Sequence, residues 1–586
     1  MSSRTRDGRE AVARQRGGFA LVTVLLVVMV VAVMVTGAAM IGSTHTLSNR
    51  YYERQGQLDA VALQGLELAR AVLNGDSDIY PDSGYVILED GVTPQDALGN
   101  PLSGVQRWTY AGPTGVTTGQ YGVFGSIVSV ARDGGGGVAI RRSQVFQESF
   151  ARYAYFTDIE PSTISFGGGD QIFGPVHTND DLKIYSSGAT FHDETRTAGQ
   201  VVGESYGTFN RGFEEDVPAI TMPETAELSA LQTRAASGGV AFSTASPSGS
   251  GEAYLRIEFV ALDLDGDGEV TGENEGFFKV YQSNDATWLS GDRPGWGMRY
   301  AEHCGHYHNS GTTFVSAADH PTSGPDSYVA ALSNATRRCY LGGSDEIFGG
   351  FVANDGNGQW VARPGTPHPL IASRADAQYL FPLSRSMNPS FQGVIHVDGK
   401  VVISGRLRGR VTLAATDEII IGDDLVYATD PGVGTCEDIL GLFGGTDVVV
   451  ADNALNTAQN PAGGSNEFTY DDTKDELIHA IVLALDQFVV ENYASGPTRA
   501  ERCEGALWGR GCLYLTGGII QNMRGAVGTI WAVGGTGYVK RYSYDRCGAT
   551  SPPPYFPTTG HFSRGQRYWV DPAGFVVDDY FDLLTA

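Results

Sequence analysis

Six carboxylates, Asp263, Asp265, Asp267, Glu269, Glu273 and Glu275, crowd the short stretch "DLDGDGEVTGENE". Acids at positions 1, 3 and 5, with Gly268 at position 6, reproduce the spacing of a calcium loop. In such a loop alternate side chains aim hard oxygens at one point and the glycine makes the turn. Two features depart from that pattern. Position 12 is Asn274, where a bidentate Glu is expected, and the flanks "YLRIEFVAL" and "GFFKVYQ" read as strands, not helices. The expectation is therefore a structural Ca2+ site in a β setting, since carboxylates this close repel one another without a cation. The competing reading is an acidic turn that binds no metal.

"HCGHYH" gathers His303, Cys304, His306 and His308, good ligands for a transition metal. A cysteine on an exported chain is more often half of a disulfide. Cys304 with Cys339 is the expected pair, and Cys503 with Cys512 can close a short loop. "GESYG" (Gly203–Gly207) has the spacing of a nucleophile elbow, but "TFNRGF" offers no helix behind the serine, so it is rejected. Metalloprotease, phosphate-loop and dinucleotide motifs are absent, and no catalytic residues are assigned.

The chain has 586 residues and a formal charge of −27, with 78 glycines and only 40 lysines and arginines. That charge disfavours nucleic acid and anionic lipid as partners; plain solvation of the surface is the first reading, ahead of a cation or a basic partner. Glycine at this level punctuates short strands and is poor inside helices, so the bulk of the chain reads as β.

Those elements have to be placed relative to a membrane. "RQRGGFALVTVLLVVMVVAVMVTGAAMIG" carries no charge from Phe19 onward, and the 25 residues Phe19–Ser43 are enough to cross a bilayer core. Arginines 4, 6, 9, 14 and 16 keep the N-terminus cytoplasmic. Helical spacing then continues: Leu58, Ala62, Leu66, Ala69 and Leu73 form one apolar face, and Asn74-Gly75 is a C-cap. Gly17-Gly18-Phe19 puts a flexible bond at the membrane boundary.

Residues 14–74 resemble a type IV pilin N-terminus: basic leader, Gly, Phe, hydrophobic half-helix, amphipathic half-helix. The resemblance implies prepilin peptidase cleavage between Gly18 and Phe19 and methylation of the new amine. It further implies other pilins and the pilus assembly machinery as partners, and an inner-membrane location with the body periplasmic, or extracellular within a pilus. Major pilins carry Glu at the fifth residue after the cut; here it is Thr23. A subunit without that carboxylate resembles minor pilins of the PilX type, used at a tip or in initiation and displaying an adhesive or interaction domain, or the large pseudopilin of type II secretion. A permanently anchored envelope protein and a carbohydrate-active β-solenoid are the readings from other classes.

The expected fold is α+β, mainly β: a leader (1–18), a pilin-type helix (19–74) and a small antiparallel β region (75–155) with a hairpin at Asp133–Gly137. A β domain (156–390) carries the calcium loop in an insertion at about 222–340, and a Gly-rich domain follows (391–586). The recurring "DQIFGPVHTNDDLKI", "DEIFGGFVAND" and "DEIIIGDDLVYA" suit a β-solenoid, with a sandwich as the alternative. "KDELIHAIVLALDQFVVENY" is a helix or a strand pair, and "SPPPYFPTTG" is an extended surface segment. The later stretches resemble an uncharacterised exported domain of bacterial pilus-assembly proteins, which implies no activity.

Overall fold

The computed structural model describes residues 10–76, 79–81, 83–113, 120, 122–247, 249, 252–288, 306–307, 314–315, 356–357, 360–374, 376–451, 476–494, 502–531 and 534–585. The chain divides into two compact units. One comprises Met1–Val116, Gly125–Val145 and Ser563–Ala586; the other Thr117–Phe124 and Phe146–Phe562. No division falls near residue 390, and the last two dozen residues belong with the N-terminal helix, not with the Gly-rich segment before them.

In the first unit a single helix, Glu10–Gly75, runs 66 residues, about 100 Å at 1.5 Å per residue. It passes unbroken through Gly17-Gly18-Phe19, where the sequence reading placed a flexible bond. Two glycines cost about 2 kcal/mol of helix propensity, which propagation from a long apolar helix outweighs. Its most apolar window has no buried residue. The second half buries Leu58, Val61, Ala62, Leu66, Ala69 and Leu73, the face expected from their spacing, and the helix ends at Gly75.

That face lies on a five-stranded sheet ordered Val86–Val92, Val105–Pro113, Phe124–Asp133, Val138–Ser149, Thr558–Asp571. Strand alternation gives the sheet two apolar faces. Val105, Ala131 and Ala139 meet the long helix. Val128, Val130 and Ile140 meet Phe581 of a C-terminal helix, Val577–Thr585, a covering element the sequence reading did not find. Gly65 permits the close approach of the long helix. A Cβ there would stand 2.2 Å from Ser129 Oγ and 2.8 Å from Arg107 Cδ. Arg107 is buried and bidentate to Glu89, at 2.7 Å for both bonds, while its third nitrogen donates to Gln64 Oε1 at 2.9 Å. Arg141 pairs with Asp59 at 2.6 Å, and Arg54 pairs with Asp133, whose carboxylate also caps the expected Asp133–Gly137 turn.

The second unit is built from parallel ladders. Val394–Asp398, Arg410–Ala415, Ile439–Gly444, Glu476–Ala484 and Cys512–Met523 pair in succession, each strand on the one from the previous circuit of the chain. A second ladder runs Glu252–Ala261, Val401–Leu407, Ile419–Tyr427, Val448–Val450, Phe488–Val490. "KDELIHAIVLALDQFVVENY" is thus a strand pair. Register stacks like on like: Ile257, Ile403, Ile421, Val450 and Val490 form one buried column. Ile395, Leu413, Leu442, Val482, Ile519 and Tyr155 form another. Branched side chains that fill one rung fill the next, so in-register pairing maximises burial.

Cys512–Met523 divides. Its first half pairs with Val539–Tyr544 and its second with Tyr155–Ile159, the bend falling at Gly517, where φ is +150° and a Cβ would meet the Ala480 carbonyl at 1.9 Å. From there the ladders continue into the early chain, through Asp170–Phe173 and Ala189–Phe191 on one side and Val176–Thr178 and Thr195–Thr197 on the other. Segments over 350 residues apart in sequence are joined there by buried ion pairs. Arg524 donates to Glu160 at 2.9 Å and Lys540 to Asp170 at 2.8 Å. Glu160 is further satisfied by Tyr155 and Thr157 hydroxyls at 2.8 and 2.7 Å.

"SPPPYFPTTG" is not a surface segment. Pro552, Pro553, Pro554 and Phe556 are buried, with Pro553 and Phe556 against Gly441, and Arg410 donates to the Ser551 and Pro552 carbonyls. Proline carries no N–H to satisfy, so such a segment can cover apolar surface cheaply.

Candidate functional sites

The acidic loop connects two antiparallel strands, Glu252–Ala261 and Gly276–Trp288, that pair up to Ala261 and Gly276. The flanks are strands, as their alternation predicts. Asp263, Asp265 and Asp267 converge at the exposed tip with one oxygen of each within 4.8 Å of the others. Backbone amides wind the loop onto these carboxylates. Gly266 and Gly268 donate to the two Asp263 oxygens at 2.6 and 3.0 Å, Asp267 to Asp265 at 3.2 Å, and Glu269 to Asp267 at 2.8 Å.

The other three acids do not join that cluster. Glu275 is buried and accepts from the Leu264 and Gly272 amides at 2.9 and 2.6 Å, closing the loop at its base. Glu269 and Glu273 are exposed. Asn274, at the position where a bidentate ligand is expected, accepts hydrogen bonds from Ser384, at 2.7 Å, and Ser386. Arg408, which the sequence reading missed, grips the loop through the Gly272 carbonyl at 3.1 Å and the Thr271 carbonyl, and pairs with Asp438 at 3.0 Å.

Electrostatics separate the aspartates. The Gly266 and Gly268 amides hold Asp263 below the ordinary range. The Asp267 amide draws Asp265 down, but partial desolvation and the charges of Asp267, Glu275 and Asp263 outweigh it and leave Asp265 raised. Three converging carboxylates open to water suit a hard divalent cation, with waters completing six to eight ligands. A cation there would relieve the crowding that raises Asp265.

At the other end of the chain, Phe19 is 79% exposed on the long helix. The hydroxyl of Thr23 donates to the Phe19 carbonyl at 2.8 Å, and those of Thr36, Thr44 and Thr46 likewise reach carbonyls four residues back. Every one of these hydroxyls is satisfied within its own helix.

Two disulfides are present among the described residues. Cys503–Cys512 closes the expected short loop, with Cα atoms 4.7 Å apart. Cys436–Cys547, with Cα atoms 5.3 Å apart, was not read from the sequence: its halves lie 111 residues apart and meet only because the ladders stack. Disulfides accord with an oxidising, exported setting, and the apolar helix is long enough to anchor the chain in a membrane. Cys304, Cys339, His303 and His308, and the repeat at Asp345, lie outside the described residues. Ser205 of "GESYG" sits in a one-turn helical segment, Glu204–Tyr206, that runs directly into strand Gly207–Phe209.

No family model and no curated protein matches the chain. Among solved structures, the competence-associated pilin ComZ from Thermus thermophilus is similar over 88% of this chain and 98% of its own, at 12% identity and a TM-score of 0.25. Identity and superposition at that level assign neither fold nor function, which rest on the chain's own residues.

Proposed function

We infer that this chain is a minor pilin-like subunit. Its N-terminal helix crosses the inner membrane through residues 19–43 and is then handed to a filament, while its acidic β body is displayed at a tip or surface as an adhesive or interaction domain. The observation that carries this reading is the division of one helix into an apolar half left exposed by the described residues and a half whose spaced apolar face is buried on a sheet. Membrane or neighbouring helices have to cover the first half. Other pilins and the assembly machinery are its partners, and a prepilin peptidase cuts between Gly18 and Phe19. Thr23, bonded to its own helix, lacks the carboxylate with which a repeating subunit would hold a neighbour's amine.

The ladders of the body form a β-solenoid, and Asp263, Asp265 and Asp267 bind Ca2+ in a structural role. The body has no catalytic function on this reading. Mass spectrometry of the mature N-terminus tests it: a methylated Phe19 start supports processing, whereas an intact Met1, or a cut after Ala39, sinks it. Gly18→Leu should leave the leader attached.

A further inference from the structure

A cleft of about 450 Å³ opens in the second unit beside the acidic loop. That volume falls within the ~300–1,000 Å³ of small-ligand sites. Arg385, Arg408 and Arg410 are three of its thirteen lining residues, in a chain where lysine and arginine together number only 40 of 586. The body at large repels a small anion, and against that background three guanidinium groups meet at this one wall.

The three arginines are not equivalent. Arg408 is committed to Asp438, Glu437 and the loop carbonyls, and Arg410 holds the Ser551 and Pro552 carbonyls. Arg385 is exposed, and both of its hydrogen-bond acceptors are neutral: the Phe391 carbonyl at 3.0 Å and Gln120 Oε1 at 3.3 Å. It therefore presents its charge to the cleft. Leu383, Phe391 and Pro554 supply an apolar wall, while the exposed carboxylates of Glu273 and Glu437 supply acceptors. Cys436, tied to Cys547, holds its part of the wall at a φ of +56°, a conformation retained only where the surroundings enforce it.

A ligand matched to this wall needs a single negative charge, several hydroxyl donors and an apolar ring face. A dianionic phosphate meets repulsion from Glu273 and Glu437, and a neutral sugar leaves Arg385 unanswered. We propose that the cleft binds a hexuronate unit, its carboxylate on Arg385, its hydroxyls donating to Glu273 and Glu437, and its ring against the Pro554 side of the wall. This rests on reading the second unit as a displayed interaction body and names the chemistry it recognises.

The test is calorimetric titration of the full chain in detergent with galacturonate, glucuronate, galactose and inorganic phosphate. At least one uronate should bind at a single site, with galactose and phosphate at least about tenfold weaker. Arg385→Gln should weaken the uronate at least about tenfold with no change in melting temperature, and Arg385→Lys should restore part of the affinity. Equal binding of phosphate, equal binding of galactose, no heat with either uronate at millimolar concentration, or undiminished affinity in Arg385→Gln would each overturn the proposal. Because the titration needs no processing or assembly, a failed Gly18–Phe19 cut would leave its result standing.

Discussion

Asp263, Asp265 and Asp267 converge because alternate side chains of a tight loop share a side, a relation the sequence states directly. What spacing did not state is that Glu275 turns away to close the loop and that Asn274 is spent on Ser384 and Ser386. For the full chain we expect Asp263→Ala to lower Ca2+ affinity at least about tenfold, and Ca2+ to raise the melting temperature of the parent chain only. Equal calcium heats in both proteins would mean there is no site. Asp265 is raised, so it takes up a proton at a higher pH than an ordinary aspartate, and calcium affinity should fall correspondingly early on acidification. His479 gives a second residue-scale test. Burial pushes it down to about 4, and its Nδ1 accepts the Tyr427 amide proton at 3.1 Å, so the folded state holds it neutral. The unfolded chain binds that proton from about pH 6.5 downward, so the stability this histidine permits is complete above 6.5 and lost as pH falls toward 4. The loss amounts to about 3 kcal/mol. Denaturant unfolding at pH 7 and pH 4.5 should show a shallower acid loss in His479→Gln than in the parent.

At the scale of elements, the amphipathic half of the long helix was legible because its burial has one period and one face. Its docking depth was not, since it depends on a missing side chain. Gly65→Leu should force the helix off Ser129 and Arg107 and destabilise the first unit by about 1–3 kcal/mol, read as a lower urea midpoint. An unchanged midpoint would show that the helix is not seated as described. The strand–turn–strand at Asp133–Gly137 was equally local and equally legible. The C-terminal strand and helix were not: "RYWVD" and "VDDYFDLL" declare a strand and a helix, but nothing in their sequence says that they cover a sheet begun some 450 residues earlier.

Over the whole molecule, the second unit is spliced from an early and a late segment of chain, and the splice is held by Glu160–Arg524 and Asp170–Lys540. Burial of Lys540 depresses its pKa against the attraction of Asp170, which marks how much desolvation the pair absorbs. Arg524→Met alone leaves Glu160 buried without its cation and should cost about 3–5 kcal/mol. Arg524→Met with Glu160→Leu should recover much of that loss, measured as a double-mutant cycle in denaturant. Additive losses would show that the pair is not the join.

Composition and periodicity alone determined that this is a mainly β chain on a long apolar helix, which helical face is buried, where the acidic loop lies and that its flanks are strands. These follow from contacts within a few residues, where side-chain type and spacing are the whole cause. Tertiary structure decided the rest: that Cys436 meets Cys547, that three prolines are buried, that Arg408 grips the loop and Arg385 faces a cleft, and that residues 155–214 extend a stack formed by residues 394–544. Each of these depends on segments brought together by in-register stacking of apolar columns. That register is selected by total burial over the whole stack, a quantity no single stretch of sequence carries.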